Sequence, residues 1–184
     1  MDHQDTSETV HRSPQGPIPQ AGRLGRAISA GGVVFAIGIV AAMLILIQEV
    51  VLRYFFNAPT TWAHETTIFL SGIAFVYGGL YCVARDSHIR VVLIYDAVSP
   101  KVRRRFDVVI SIVCALSSAI FAYAAWLMVE RAAFTPAGDF RLETSGSAWN
   151  PPFPGMTKIF LLAVLTVMAV QFLVLTVNYA RRKH

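Results

Sequence analysis

The chain has 184 residues, of which 55% are hydrophobic and only 15% are charged. A soluble domain carries about 25% charged residues, and the apolar residues here are gathered into four long blocks. This composition excludes an ordinary soluble domain and indicates an integral membrane protein. The net charge of +5 does not indicate nucleic-acid binding, because the basic loops of a membrane protein report its topology.

The chain begins with a polar segment, residues 1–22, which contains three prolines and few apolar residues. We expect it to be a disordered cytoplasmic tail. The first apolar block follows at about residues 30–52 and is too long for the core of a cleaved secretory signal. The sequence therefore predicts that this block is kept as the first transmembrane helix.

Three further apolar blocks lie at about residues 66–84, 106–129 and 157–179. Each has about 20 residues or more, the length that a helix needs to cross about 30 Å of hydrocarbon. Residues 23–184 are therefore predicted to form an all-α membrane domain with four transmembrane helices.

The basic residues predict the orientation of these helices. With the N-terminus in the cytoplasm, twelve fall in cytoplasmic segments: Arg12, Arg23, Arg26, Arg85, Arg90, Lys101, Arg103, Arg104, Arg105, Arg181, Arg182 and Lys183. Only four fall in outer segments: Arg53, Arg131, Arg141 and Lys158. This bias places both termini in the cytoplasm.

The segment between the second and third blocks carries one amphipathic stretch, residues 89–98. Its apolar residues recur with helical spacing at Val91, Ile94, Tyr95 and Val98. The stretch is too short to span, so it predicts an interfacial helix with His88 and Arg90 near the lipid headgroups. The alternative is a plain basic loop. Ser99 and Pro100 then predict the start of the helix that contains the third block.

Ionisable residues within spans are the first candidates for function, and there are few. Glu49 lies near the outer end of the first block, four residues before Arg53, which is the favourable order for an ion pair on a helix. A structural pair, a contact to a partner, and a proton or ion carrier all remain open for Glu49. Gln48 and Gln171 are the polar residues expected to bond across helices.

No enzyme motif is present in the sequence. All five histidines lie outside the apolar blocks, where they do not provide the facing axial ligands of a membrane haem. His64 and Glu65 begin a zinc-protease motif, but Ile68 occupies the position of its second histidine. We therefore predict no catalytic residues, no metal and no cofactor. All nine prolines lie outside the blocks, which favours unbroken helices and a scaffold.

The connection between the first two blocks is the densest cluster of distinctive residue types. Asn57 and Pro59 predict a turn that ends the first helix. Thr61 is expected to cap the second helix, and Glu65 is expected in its first turn, where an acid favours the helix dipole. Trp62 is an expected interfacial residue. This corner is either a plain membrane hairpin or a docking surface.

Several motifs along residues 30–180 resemble those of the small membrane subunit of the tripartite ATP-independent periplasmic (TRAP) transporters. The matching residues are Arg53-Tyr54-Phe55, Asn57-Ala58-Pro59, Trp62, Glu65, Gly72, Gly78, Gly79, His88-Ile89-Arg90-Val91, Trp149-Asn150-Pro151-Pro152, Lys158 and Gln171. One position departs from the family, since Val92 stands where an acidic residue is frequent.

The resemblance implies a scaffold subunit of the bacterial inner membrane. It would pair with a large membrane subunit and import an organic acid, delivered by a periplasmic binding protein and driven by a sodium gradient. Besides the lipid bilayer, the implied partners are those two proteins. The alternative from the residues alone is a self-sufficient transporter or channel, a homo-oligomer of four-helix chains.

Overall fold

A computed structural model of the chain describes residues 17–85, 99–135 and 137–181, without the side chains of Pro100 and Lys101. A 3₁₀-helix, Pro19–Ala21, precedes four α-helices. We number these α1 (Gly22–Phe55), α2 (Ala63–Ala84), α3 (Pro100–Ala133) and α4 (Phe153–Arg181). All four are long and apolar enough to cross a membrane. The predicted all-α fold with four long apolar helices is therefore confirmed.

The helices extend beyond the predicted apolar blocks. α1 and α3 each have 34 residues, about 51 Å at 1.5 Å per residue, which exceeds the hydrocarbon thickness of about 30 Å. The added turns contain arginines, such as Arg23 at the start of α1 and Arg131 at the end of α3. Helix bounds follow backbone hydrogen bonding, whereas hydropathy marks only the part that lies in hydrocarbon.

Neighbouring helices pack in the order α1, α2, α4, α3. α2 and α4 therefore lie in the middle, while α1 packs mainly on α2 and α3 mainly on α4. We call the end with the α1–α2 and α3–α4 connections the corner side. The opposite end, with the N-terminal segment and the end of α4, is the terminal side.

The buried core lies mainly towards the terminal side. One cluster joins Ala21, Val83, Ala115, Phe172, Leu175 and Tyr179, and a second joins Ile28, Leu80, Ala84 and Val164. Residues of α2 and α4 occur in both clusters, which is consistent with their central position. Small alanines in the clusters allow the helix backbones to approach closely.

The N-terminal segment differs from its predicted disorder where the structure describes it. The Ile18 amide donates to the Ala84 carbonyl at 3.3 Å, and Ala21 is completely buried. Asn178 Nδ2 donates to the Gln20 carbonyl at 2.7 Å, and Gln171 Nε2 donates to the Ala21 carbonyl at 3.2 Å. The chain turns into α1 at Gly22, whose φ of 65° favours glycine. These contacts attach residues 17–21 to α2 and α4; residues 1–16 lie outside the described residues.

α3 begins at Pro100 with Ser99 as its N-cap residue, as predicted, although the Ser99 side chain makes no capping hydrogen bond. Near this start, Arg104 donates from Nε to the Tyr179 carbonyl at 2.9 Å and from Nη2 to the Ala180 carbonyl. A basic side chain thus satisfies the last carbonyls of α4. The predicted interfacial helix at residues 89–98, with His88 and Arg90, lies outside the described residues.

Candidate functional site at the corner between α1 and α2

The corner begins where α1 ends, at Phe55. Asn57 adopts a left-handed backbone with a φ of 50°, and the Ala58 amide donates to the Leu52 carbonyl at 3.0 Å. Asparagine is one of the few residues that tolerate this conformation after a helix C-terminus. The local sequence therefore turns the chain sharply out of α1, and Pro59 follows as an exposed turn residue.

Glu49 is the hydrogen-bonding centre of the corner. Its side chain is buried, and Arg53 Nε and Nη2 donate to Oε1 at 3.2 and 2.6 Å. The other oxygen, Oε2, accepts from the Thr60 amide at 3.1 Å and from the Thr60 hydroxyl at 2.5 Å. Both carboxylate oxygens are therefore occupied by groups of the same chain. We call this arrangement the Glu49 latch, because it ties α1 to the connection eleven residues later.

Arg53 uses only some of its N–H donors to bond Glu49 in the latch. An arginine has five N–H donors, and Glu49 takes one from Nε and one from Nη2. The Arg53 side chain is 54% exposed, whereas that of Glu49 is 9% exposed. The anion of the pair is thus enclosed, and among the described residues Glu49 alone accepts from the half-exposed guanidinium.

A cleft of about 520 Å³ opens beside this pair. We call it the Arg53 cleft, and it is lined by Leu46, Glu49, Val50, Arg53, Tyr54 and His64. Polar and apolar residues alternate along the α1 side of the cleft, in the order Leu46, Glu49, Val50 and Arg53. The cleft therefore combines the hydrogen-bond donors of Arg53 with exposed apolar side chains.

The start of α2 differs from the predicted capping. The N-cap residue is Trp62, without a side-chain capping bond, and Thr61 is exposed. The neighbouring Thr60, and not Thr61, makes the side-chain hydrogen bond at this point, and its hydroxyl donates to Glu49. Glu65 lies in the first turn of α2 as predicted, and its buried Oε2 has no hydrogen-bond partner among the described residues.

The α3–α4 connection lies on the same side of the molecule as the corner. Phe153 at the start of α4 stacks on Phe69 of α2 at 4.3 Å and meets Trp149 edge-on at 5.4 Å. Lys158 forms an ion pair with Glu143, so the first turns of α4 are also tied to the connection. These aromatic contacts join the α3–α4 connection and the start of α4 to α2.

The two glutamines predicted to bond across helices lie apart from the corner. Gln171 is completely buried on the terminal side, where it contacts the 3₁₀-helix. Gln48 is exposed on α1. The structure thus brings together Glu49 and Arg53, adds Thr60, and leaves Gln48 and Gln171 outside this site. No sequence pattern indicated Thr60, because its partner lies eleven residues away on another element.

Within the described residues, no group of three His, Cys, Asp or Glu side chains is arranged to hold a metal ion. A model of the DctQ component of the tripartite ATP-independent periplasmic transporters matches residues 42–182, well over half of the chain. The chain belongs to this family. The match contains the corner, the Arg53 cleft and all of α2, α3 and α4.

The DctQ family is a transporter component and not an enzyme family. Together with the four apolar helices, membership identifies a multi-pass membrane protein that is one part of a tripartite transporter. The family resemblance predicted from the sequence motifs is therefore confirmed. No curated protein matches the chain significantly.

Proposed function

We propose that this DctQ protein is the small scaffold subunit of a TRAP secondary transporter in a bacterial inner membrane. It pairs with the large membrane subunit, which moves an organic acid inward by using a sodium gradient. A periplasmic binding protein delivers the acid to the corner side, and both termini face the cytoplasm. The family match over residues 42–182 is the observation that carries this proposal.

The Glu49 latch supports a scaffold rather than a substrate pathway. Carriers use acids in spans to bind protons or ions, and such an acid needs an oxygen that can accept its cargo. Both oxygens of Glu49 already accept hydrogen bonds from Arg53 and Thr60. We therefore propose that Glu49 fixes the conformation of the corner and that the large subunit carries the substrate.

Purification of the native complex in mild detergent tests this function. A tag on this chain is expected to recover a larger multi-span protein, and sodium-driven uptake in proteoliposomes is expected to need both membrane subunits and the binding protein. The matched control contains the large subunit and the binding protein without this chain. Full uptake by this chain alone would refute the scaffold function and support the homo-oligomeric transporter.

The variant Glu49→Gln separates the two functions further. In a scaffold, the variant weakens recovery of the complex and leaves the sodium dependence of the remaining uptake unchanged. In a self-sufficient carrier, it abolishes uptake by a homo-oligomer whose assembly is intact. The amount of complex and the uptake rate per complex are measured separately on the same preparation.

A further inference from the structure

The Arg53 cleft has the construction of a binding site for a carboxylate. We propose that it receives an acidic side chain of the large membrane subunit, an inference that rests on the proposed function. The acid accepts hydrogen bonds from the Arg53 donors that Glu49 leaves available, beside Tyr54 and His64.

The latch makes Arg53 a preorganised donor. Two of its N–H groups are directed to Glu49 Oε1, which fixes the plane of the guanidinium. The remaining N–H groups keep the fork geometry that suits a planar carboxylate. Because Glu49 is enclosed by Arg53 and Thr60, its charge is satisfied inside the chain. A second carboxylate therefore meets the donors of Arg53 with little of the side-chain ordering that binding otherwise requires.

The depth of the cleft indicates a partner that lies in the membrane. From Leu46 to Arg53 the lining runs along about 10 Å of the α1 axis. Leu46 and Val50 are 43% and 54% exposed, and both belong to the apolar block of residues 30–52 that is predicted to cross the membrane. A water-soluble binding protein does not reach side chains that lie in hydrocarbon, whereas a helix of the large subunit can contact these apolar side chains and Arg53 together.

The surface beside Arg53 favours a protein over a lipid phosphate. Tyr54, Phe55 and Phe56 follow directly and are 79%, 82% and 69% exposed. Arginine beside large aromatic residues is the composition that protein interfaces prefer at their centres. The family is one component of a tripartite transporter, and the proposed function supplies a protein partner in the membrane. A phospholipid headgroup is the competing outcome of the test.

Zero-length crosslinking in the native complex tests direct contact. The variant Arg53→Lys places an ammonium group in the cleft, and a water-soluble carbodiimide activates carboxylates for attack by a neighbouring amine. The introduced amine nitrogen then forms an amide with the contacting carboxyl carbon, the activated oxygen leaves with the carbodiimide as a urea, and one water is lost overall. The Lys158–Glu143 ion pair serves as the internal positive control.

The expected product is an amide between position 53 and an Asp or Glu of the large subunit, identified by peptide mass spectrometry. An amide between Lys158 and Glu143 without any interchain amide at position 53 contradicts the proposal. An amide from position 53 to Glu49 alone contradicts it as well, because the amine then meets only its own chain.

If Arg53→Lys weakens the complex too much for crosslinking, recovery of the large subunit by other variants tests the same contact. Recovery of the large subunit is compared between Arg53→Gln and Arg141→Gln, which removes an exposed arginine of the α3–α4 connection. We expect Arg53→Gln to weaken association by about tenfold or more, because it removes a charge-assisted hydrogen bond to the partner together with the two latch bonds to Glu49. Arg141→Gln is expected to leave it unchanged.

Bound phospholipid is counted in the same samples by native mass spectrometry. Loss of a phospholipid from Arg53→Gln with unchanged recovery of the large subunit overturns the proposal and assigns the cleft to a headgroup. Equal recovery from both variants with unchanged lipid also overturns it. If the unsubstituted chain recovers no large subunit, the proposed function fails first, so the two failures are distinguishable.

Discussion

Individual glycines of α1 determine how closely α2 approaches. Beside Gly31, the Tyr77 hydroxyl donates to the Ile28 carbonyl at 2.7 Å, and its ring stacks on Phe35 at 4.0 Å. Gly32 faces the ring of Tyr81, two ring atoms of which would lie 2.6 and 2.7 Å from an added Cβ. The tyrosines of α2 thus occupy space that any larger residue would take.

We expect Gly32→Ala to destabilise the protein by about 1–3 kcal/mol, because the added methyl group forces the Tyr81 ring out of its place. Gly38→Ala is the matched control on the same helix, since nothing lies within 4 Å of its added Cβ. The control is expected to stabilise by up to about 1 kcal/mol through helix propensity. Thermal unfolding of both variants in one detergent measures the difference, and equal melting temperatures would contradict this packing.

At the scale of elements, the 3₁₀-helix connects the start of the chain to its end. Its carbonyls at Gln20 and Ala21 accept from Asn178 and Gln171 of α4. The preceding Ile18 amide donates to the end of α2. This short element therefore attaches three segments to one another on the terminal side, and we infer that its contacts limit separation of α1 from α4.

Replacement of Gln171 by Met removes the donor to the Ala21 carbonyl while keeping a side chain of similar length. We expect a loss of about 0.5–1.5 kcal/mol in unfolding free energy, the net contribution of one hydrogen bond from the buried Gln171 amide to the Ala21 carbonyl. Gln48→Met on the exposed face of α1 is the control and is expected to change little. Both variants are compared by unfolding in detergent and by the rate of protease digestion of the N-terminal segment. A larger effect of Gln48→Met than of Gln171→Met would refute the stabilising role of the Gln171 bond.

At the scale of the whole molecule, the helices form a row instead of a closed bundle. α1 and α3 occupy the ends of the packing order, and both expose many large apolar side chains. Lipid or another subunit must cover these faces in a membrane. The row therefore offers a wide contact surface for a partner while its own core stays small.

The proposed orientation is testable on whole cells with single cysteines. After Cys82 and Cys114 are replaced by Ala, Ala148→Cys places a thiol on the corner side and Ser99→Cys places one at the start of α3; both positions are exposed. A membrane-impermeant maleimide is expected to label position 148 in intact cells and position 99 only after lysis. The reverse pattern would overturn the orientation inferred from the basic residues.

Local signals in the sequence predicted much of this fold. The apolar blocks located all four helices, Ser99 and Pro100 marked the start of α3, and Asn57 marked the turn after α1. Each of these features depends on neighbouring residues, and hydropathy or turn chemistry is sufficient to detect it.

Contacts between distant residues could not be predicted in the same way. The latch joins Glu49 to Thr60, and sequence reasoning assigned the neighbouring Thr61 to a helix cap instead. One residue of register in the connection decides which hydroxyl reaches the carboxylate. The packing of residues 17–21 was also missed, because a polar, proline-containing segment carries no sign of the buried carbonyl partners that α4 provides.

The bond between Ala21 and Gln171 spans 150 positions of the chain, which has a consequence for biosynthesis. A ribosome exposes the N-terminal segment long before it makes α4, so the bonds from Gln171 and Asn178 to this segment form only after the first three helices have been made. Closure of the terminal side is therefore a late event that reports a complete chain. Nascent chains that stop before α4 lack these two donors, and of the described bonds from this segment to other helices they keep the one from the Ile18 amide to the Ala84 carbonyl.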